Sequence, residues 1–364
     1  MSDNWTQLLR PSLLNLKPFS SAAMARLSLQ TNSRPWIFLE SNENPNVYGE
    51  EAYNRYPEPQ PREVVARLGE LYSVPVDQIL LTRGSAEGLD LIIRLVCEPY
   101  KDEILTLWPD FELIEQLACI QGCSLKKVIL KKENGFRLSM DEVNNMAEKN
   151  IKLVYLSSPN NPTGQQLHKD MIVSICEKYR NKAVVVIDEA YVEYAEQESI
   201  SSLLQDFEHL LILRTLSKAY GLAGIRCGAV LSSPEIITYL QAMLHPAPIP
   251  QPTADIVVKV LSKDKIATIH QAINDMIEQR NELGNRLINF NFVRRVFKSE
   301  GNFILLEVEQ VEQLMAFCYA EKILIRDKST QHALEDCVRI TIGSESENAR
   351  LLQVFKQFQL SIPS

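Results

Sequence analysis

The segment VVVIDEAYVEY (184–194) decides the architecture. A run of four valines and isoleucines with no polar alternation reads as a strand buried on both faces, as in a parallel sheet covered by helices. It ends in Asp188 and Glu189, with Tyr191 close behind. A carboxylate at the end of a central strand is costly to bury unless a cation pairs with it. A solvated strand end explains one such acid more readily than two.

The pattern spreads outward from this strand. Short apolar runs predict strands at QILLT (78–82), EILTLW (103–108), KKVIL (126–130), KLVYLSS (152–158), AVVVIDEA (183–190), LLILRT (210–215) and CGAVLSS (227–233). Leucines and isoleucines three and four apart predict helices at 86–98 and 169–180. Alternation of the two signals predicts an α/β fold, a mostly parallel seven-stranded sheet between helices. The Pro-rich stretch HPAPIPQPTADI (245–256) reads as a bent connection, because proline breaks helices and central strands. Beyond it, a long amphipathic helix (263–290), strands at FILLEV (303–308), ILIRD (323–327) and CVRITIG (337–343), and a last helix (346–358) predict a smaller α+β domain. The expected division is an N-terminal arm with part of the small domain (1–45), a large domain (46–255) and a small domain (256–364). The arm, with Pro11, Pro18 and Pro35, is expected to wrap across the junction.

The chain has 364 residues, 45% hydrophobic and 23% charged, with formal net charge −8. That is enough for more than one core. The acidic balance argues against nucleic-acid or anionic-membrane partners, so an anionic ligand would need local arginines. No apolar run reaches a membrane span and no signal-peptide layout opens the sequence. Seven scattered cysteines suit reduced thiols in a cytoplasm. Without clustered histidines or cysteines, no metal site is expected.

Five segments carry the candidate chemistry, each ending a strand or opening a helix, where open α/β sheets bind ligands. In TRGSAEGLD (82–90), Gly84 permits a tight turn, Ser85 reads as the N-cap, and the free amides that follow would attract a phosphate. An ordinary capped helix gives the same pattern. In SSPNNPTGQ (157–165), Asn161 presents an amide at a strand end, although a plain turn uses the same residues. Asp188, Glu189 and Tyr191 belong to the third segment. The fourth, RTLSKAYGLAGIRCG (214–228), gathers Thr215, Ser217 and Arg226 around Lys218, whose amine lies in apolar company. In the fifth, Arg326 and Arg339 sit in strands of the second domain, either as edge residues or as forks for a carboxylate or phosphate. A lysine able to form a Schiff base, a carboxylate for a pyridine nitrogen and a helix terminus for a phosphate are what pyridoxal 5'-phosphate requires.

In this order, GSAEG, SPNNPTG, DEAY, TLSKAYGLAGIRCG and RITIG, together with NENP (42–45) and NRYPEP (54–59), resemble the fold-type I, class II aminotransferases over nearly the whole chain. The resemblance implies pyridoxal phosphate held through Lys218, which then acts as general acid and base. It implies Asp188 on the pyridinium nitrogen, and Asn161 and Tyr191 on the ring oxygen. Ser85, Ala86, Thr215, Ser217 and Arg226 would hold the cofactor phosphate, and Phe111 would stack on the ring. Tyr56 would reach the phosphate of a neighbouring subunit, which implies a homodimer with shared sites. Arg339 would take the carboxylate of glutamate or 2-oxoglutarate, and Arg326 the phosphate of a phosphorylated amine. Held as an imine, the Lys218 nitrogen would be a buried group without the ammonium's desolvation cost. Two residues depart from the family's habit: Ala86 stands where many members carry Asp, and Phe19 where a Tyr hydroxyl usually meets the substrate phosphate. Phe19 keeps open an aromatic or broad-range aminotransferase, or a threonine-phosphate decarboxylase, on the same scaffold.

Overall fold

The computed structural model describes residues 5–17, 26, 36–147 and 149–362. Its larger sheet has seven strands: β1 (Ile79–Thr82), β2 (Glu103–Trp108), β3 (Ser124–Ile129), β4 (Ile151–Ser157), β5 (Val184–Asp188), β6 (Leu210–Thr215) and β7 (Gly228–Leu231). They lie in the order β1-β7-β6-β5-β4-β2-β3. Only β7 runs against its neighbours; it pairs antiparallel with both β1 and β6. The mostly parallel seven-stranded sheet is therefore as the sequence predicts.

Period-two geometry sorts each strand between two cores. On one face Leu81, Leu107, Leu156, Val185, Ile187 and Ile212 pack against the helices Arg62–Tyr72 and Lys169–Tyr179. On the other, Leu80, Tyr155, Val184, Val186, Leu213 and Val230 pack against the helix Ser85–Val96. The arm residues Trp5, Leu8 and Leu9 join this second core. The five buried residues of β5 thus have no solvent face, which is why their sequence shows no alternation.

The same alternation parts Asp188 from Glu189. Asp188 continues the face of Val184 and Val186, whereas Glu189 turns to the opposite side. There it pairs with buried Arg214 at 3.4 Å and accepts from Ser199 Oγ at 2.6 Å and Ile200 N–H at 2.8 Å. Arg214 also meets Glu193 at 2.8 Å. Glu189 is thus a structural acid and not part of the ligand site. Arg214→Met should cost about 3 kcal/mol, since two buried carboxylates would lose their cation. Denaturant unfolding at pH 7 measures it.

The smaller sheet, in the order β10-β11-β9-β8, is antiparallel: β8 (Val293–Val296), β9 (Phe303–Val308), β10 (Arg326–Asp327) and β11 (Cys337–Thr341). The helices Lys263–Leu287, Val311–Ala320 and Glu345–Ser361 bury Ile304, Leu306, Val338 and Ile340 of its inner face. The other face turns Phe303 and Arg339 toward the large sheet. Phe303 meets Tyr191 edge to face at 5.1 Å.

Two local expectations are corrected. The Pro-rich stretch is a connection only as far as Pro250; a helix, Gln251–Val260, starts inside it. Pro252 falls in the first turn, where its missing N–H would have had no helical partner. The strand expected at 323–327 shortens to Arg326–Asp327, with Ile323 and Ile325 packed against the small core instead.

Candidate active site

The ends of β4, β5 and β6 open into a cavity of about 370 Å³. Ser85, Ala86, Phe111, Asn161, Asp188, Tyr191, Thr215, Ser217, Lys218, Arg226, Arg326 and Arg339 all line it. These residues come from segments up to 254 positions apart (Ser85 to Arg339). The order of strands explains the meeting. The chain leaves β2 for β3 at the sheet edge and returns to β4 on the other side of β2, so the loops after β2 and β4 diverge and leave a crevice. Sequence reasoning missed four lining residues, Glu112, Ser157, Ala190 and Lys328.

Asp188 forms the acidic floor. It is 6% exposed, and its carboxylate accepts from Tyr155 Oη at 3.0 Å and from Ala190 N–H at 3.1 Å. Burial pushes its pKa up to about 6 against the pull of these donors and of Lys218. Behind it Asp110, likewise buried, rises to about 7, again through burial, while Ser157 Oγ and Phe111 N–H donate to it. Lys218 offsets the charge of these buried carboxyls only in part, so the floor favours a further protonated or cationic nitrogen.

Lys218 faces the floor from the β6–β7 connection. It is accessible from the cavity, not buried as the sequence reading expected, because the cavity itself is open to solvent. Enough protein surrounds its amine that burial, followed by the nearby Arg339, lowers its pKa; Asp188 opposes them. Its Nζ lies 5.6 Å from the centre of the Tyr191 ring. Burial raises Tyr191 to about 12, so its hydroxyl keeps its proton as a donor.

The helix Ser85–Val96 aims its N-terminus at the cavity. Gly84, not Ser85, is the N-cap, and no side chain caps the helix, so its first amides stay free for a ligand. Gly84 is left-handed (φ 83°), and a Cβ there would stand 2.6 Å from Arg226 Nη2. Arg226 donates to Ser217 Oγ at 3.3 Å and Arg83 O at 3.4 Å. Gly228 lets β7 pass under the turn, for its Cβ would lie 2.7 Å from both Gly84 C and Ser85 N. Gly228→Ala should therefore push the helix terminus aside and weaken anion binding about tenfold or more. Equilibrium titration with inorganic phosphate measures it.

Alternation along β11 sends Arg339 away from the small core and over the ring of Phe303 at 5.3 Å. One guanidinium nitrogen donates to Asn161 Oδ1, while buried Nε has no partner. Opposite Arg339 in the ladder stands Arg326 on β10. Tyr56 is not brought to this cavity. The residue is 60% exposed and lines a separate hollow beside Tyr53 and Pro250. Its N–H donates at 2.7 Å to Glu43, which is ion-paired with Arg26 and Arg55 and lowered to about 2, chiefly by the Arg26 hydrogen bond. Phe19 lies outside the described residues.

The cavity thus sets a carboxylate floor against an amine, and carries two electropositive walls: the helix terminus with Arg226, and Arg326 with Arg339. This chemistry matches what the comparisons find. The family profile of class I and II aminotransferases matches residues 39–355, and the chain belongs to that family. Among curated relatives, the histidinol-phosphate aminotransferase of Francisella philomiragia is 38% identical over 344 residues, covering 94% of this chain and 93% of the relative. That of Christiangramia forsetii is 36% identical over 356 residues, covering 98% of each. A solved histidinol-phosphate aminotransferase from Sinorhizobium meliloti, in complex with pyridoxal-5'-phosphate, superposes with a TM-score of 0.77 at 21% identity, over 85% of this chain and 84% of that one. At that identity the likeness is one of fold. The same holds for an L-threonine-O-3-phosphate decarboxylase from Porphyromonas gingivalis, TM-score 0.72 at 22% identity, covering 85% of this chain and 92% of that one.

Proposed function

We propose that this chain is a histidinol-phosphate transaminase of histidine biosynthesis. It exchanges the amino group between histidinol phosphate and 2-oxoglutarate, giving imidazole-acetol phosphate and L-glutamate, in a ping-pong cycle. The observation that carries the reading is the facing pair of Lys218 amine and buried Asp188 carboxylate in one cavity with two anion-binding walls.

The residues present fit pyridoxal 5'-phosphate. A helix terminus without a side-chain cap, next to Arg226, suits its phosphate. A buried carboxyl whose charge Lys218 offsets only in part suits its ring nitrogen. The group supplies a carbonyl carbon that carries the amino group and a ring that accepts the electron pair of the broken Cα–H bond. Lys218 Nζ would hold it between turnovers, and Ser85, Ala86, Thr215, Ser217 and Arg226 its phosphate. Asp188 would keep a proton at the ring nitrogen, with Tyr155 and the Ala190 amide fixing the carboxylate. Tyr191 and Asn161 would donate to the ring oxygen, and Phe111 would cover the ring. Lys218 Nζ would also move the proton on the substrate Cα; its lowered pKa leaves more of the amine unprotonated for that task. Arg339 clamps the carboxylate of glutamate through the edge that Asn161 leaves open. Arg326 receives the phosphate of histidinol phosphate.

The working unit we infer is a cytoplasmic homodimer in which Tyr56 completes the partner's site. The exposed Trp36, Ile37, Leu39, Tyr48 and Tyr56, gathered on one segment, support this. So do cysteines that remain free thiols in the structure.

Spectra and kinetics test the reading. The purified enzyme should show a visible cofactor band that shifts with glutamate, and should turn over histidinol phosphate with 2-oxoglutarate without releasing carbon dioxide. A cofactor-loaded enzyme that prefers phenylalanine to histidinol phosphate would refute the substrate; one without any band would refute the chemistry.

A further inference from the structure

Lys328 follows β10 and lines the cavity, yet its side chain is only 6% exposed. Its position is fixed: its N–H donates to Cys337 O at 3.0 Å, and Asp327 caps the next residue, accepting from Ser329 N–H at 2.8 Å. Its ammonium pairs with Glu112 at 3.2 Å. Glu112 comes from the loop after β2, so the pair spans the two sheets. The same carboxylate lies 3.6 Å from Arg326 and accepts from Gln331 Nε2. Burial lowers the Lys328 pKa against the pull of Glu112, which marks the ammonium as short of counter-charge. Around this wall three cations, Arg326, Lys328 and Arg339, face one carboxylate, leaving a surplus of two positive charges.

We propose that Lys328 is a substrate-binding residue of the phosphate wall, and that Glu112 is a built-in counter-ion which an incoming phosphate displaces. A phosphate monoester carries a charge close to −2 at pH 7, which matches the surplus. A single carboxylate leaves half of it unmatched and competes less well with Glu112. The wall therefore selects a phosphorylated substrate by charge, with Glu112 raising the threshold against monoanions. The assignment to the substrate's phosphate rests on the function proposed above.

Inorganic phosphate, used as a competitive inhibitor of the cofactor-loaded enzyme, tests the wall directly. Lys328→Met should raise its inhibition constant about 10- to 100-fold, the range for losing one charged hydrogen-bond partner. Lys328→Arg should recover most of that loss. Glu112→Gln should act in the opposite direction, lowering the constant about threefold or more, because the competing charge is gone while the shape remains. Cofactor absorbance and melting temperature report whether each variant is folded and loaded. A merely structural ion pair predicts that both variants weaken phosphate binding or leave it unchanged, and either result overturns the proposal. Opposite shifts uphold it. If the wild type then fails to accept histidinol phosphate, the proposed substrate falls while the phosphate-selective wall stands.

Discussion

Lys218→Ala is expected to lower turnover of histidinol phosphate with 2-oxoglutarate by about four orders of magnitude or more. Both tasks proposed for it would disappear together. A positioned proton carrier contributes about 10²–10⁴ to a rate, and the covalent hold on the cofactor is lost as well. No neighbour can substitute, for the other cations of the cavity are arginines, which do not give up a proton at neutral pH, and Lys328, whose ammonium is held by Glu112 or, as proposed above, by the substrate phosphate. Borohydride reduction followed by peptide mapping should place a pyridoxyl mass on Lys218 in the wild type and leave it absent in the variant. Activity within tenfold of wild type would remove Lys218 from the mechanism.

Asp188→Asn is expected to reduce turnover by about 10²–10³, the range for deleting one preorganised electrostatic partner of the reacting group. It should do so without loosening the fold. A carboxyl whose folded pKa lies near 6, above its ordinary value of 3.8, binds more protons folded than unfolded between those limits. Stability therefore falls as pH rises through that window and stays lower above it. Asp110, raised to about 7, adds a loss in the same direction that continues to higher pH. The cofactor-free wild type should thus melt lower at pH 8 than at pH 5, and Asp188→Asn should melt at least as high as wild type at pH 8. Bound cofactor, by giving the carboxylate a cation, should flatten the wild-type dependence. A melting temperature that climbs steadily to pH 8 in the cofactor-free protein would contradict this account of the floor.

The sequence disclosed the sheet because every strand of its core is coded in the same way. β2 and β6 coincide residue for residue with the apolar runs EILTLW and LLILRT, since a strand with both faces covered has no reason to interrupt itself. The catalytic candidates at strand ends were legible for the same reason: Asp188 stands out against valines. Glu189 was not separable from it by composition. Only the pleat, which turns consecutive side chains to opposite faces, divides the two acids into a cavity-facing group and a partner of Arg214. Glu112 and Lys328 were hidden because each looks like an ordinary solvated charge. Their meaning comes from a contact 216 positions apart. The Ser85 cap failed for a local reason: Gly84 already supplies the turn, and Ser85 is the first helical residue.

The reversed strand β7 sets a mechanical condition on the site. Segment 216–227 leaves the sheet at Thr215 and rejoins it at Gly228, directly across the same ladder. Leu216 N–H to Cys227 O and Leu222 N–H to Leu216 O brace its neck. Lys218 and Arg226 are thus the two jaws of a caliper closed at its hinge. Its gap is gauged by backbone bonds, so the spacing between the amine and the guanidinium is set by the fold before any ligand arrives.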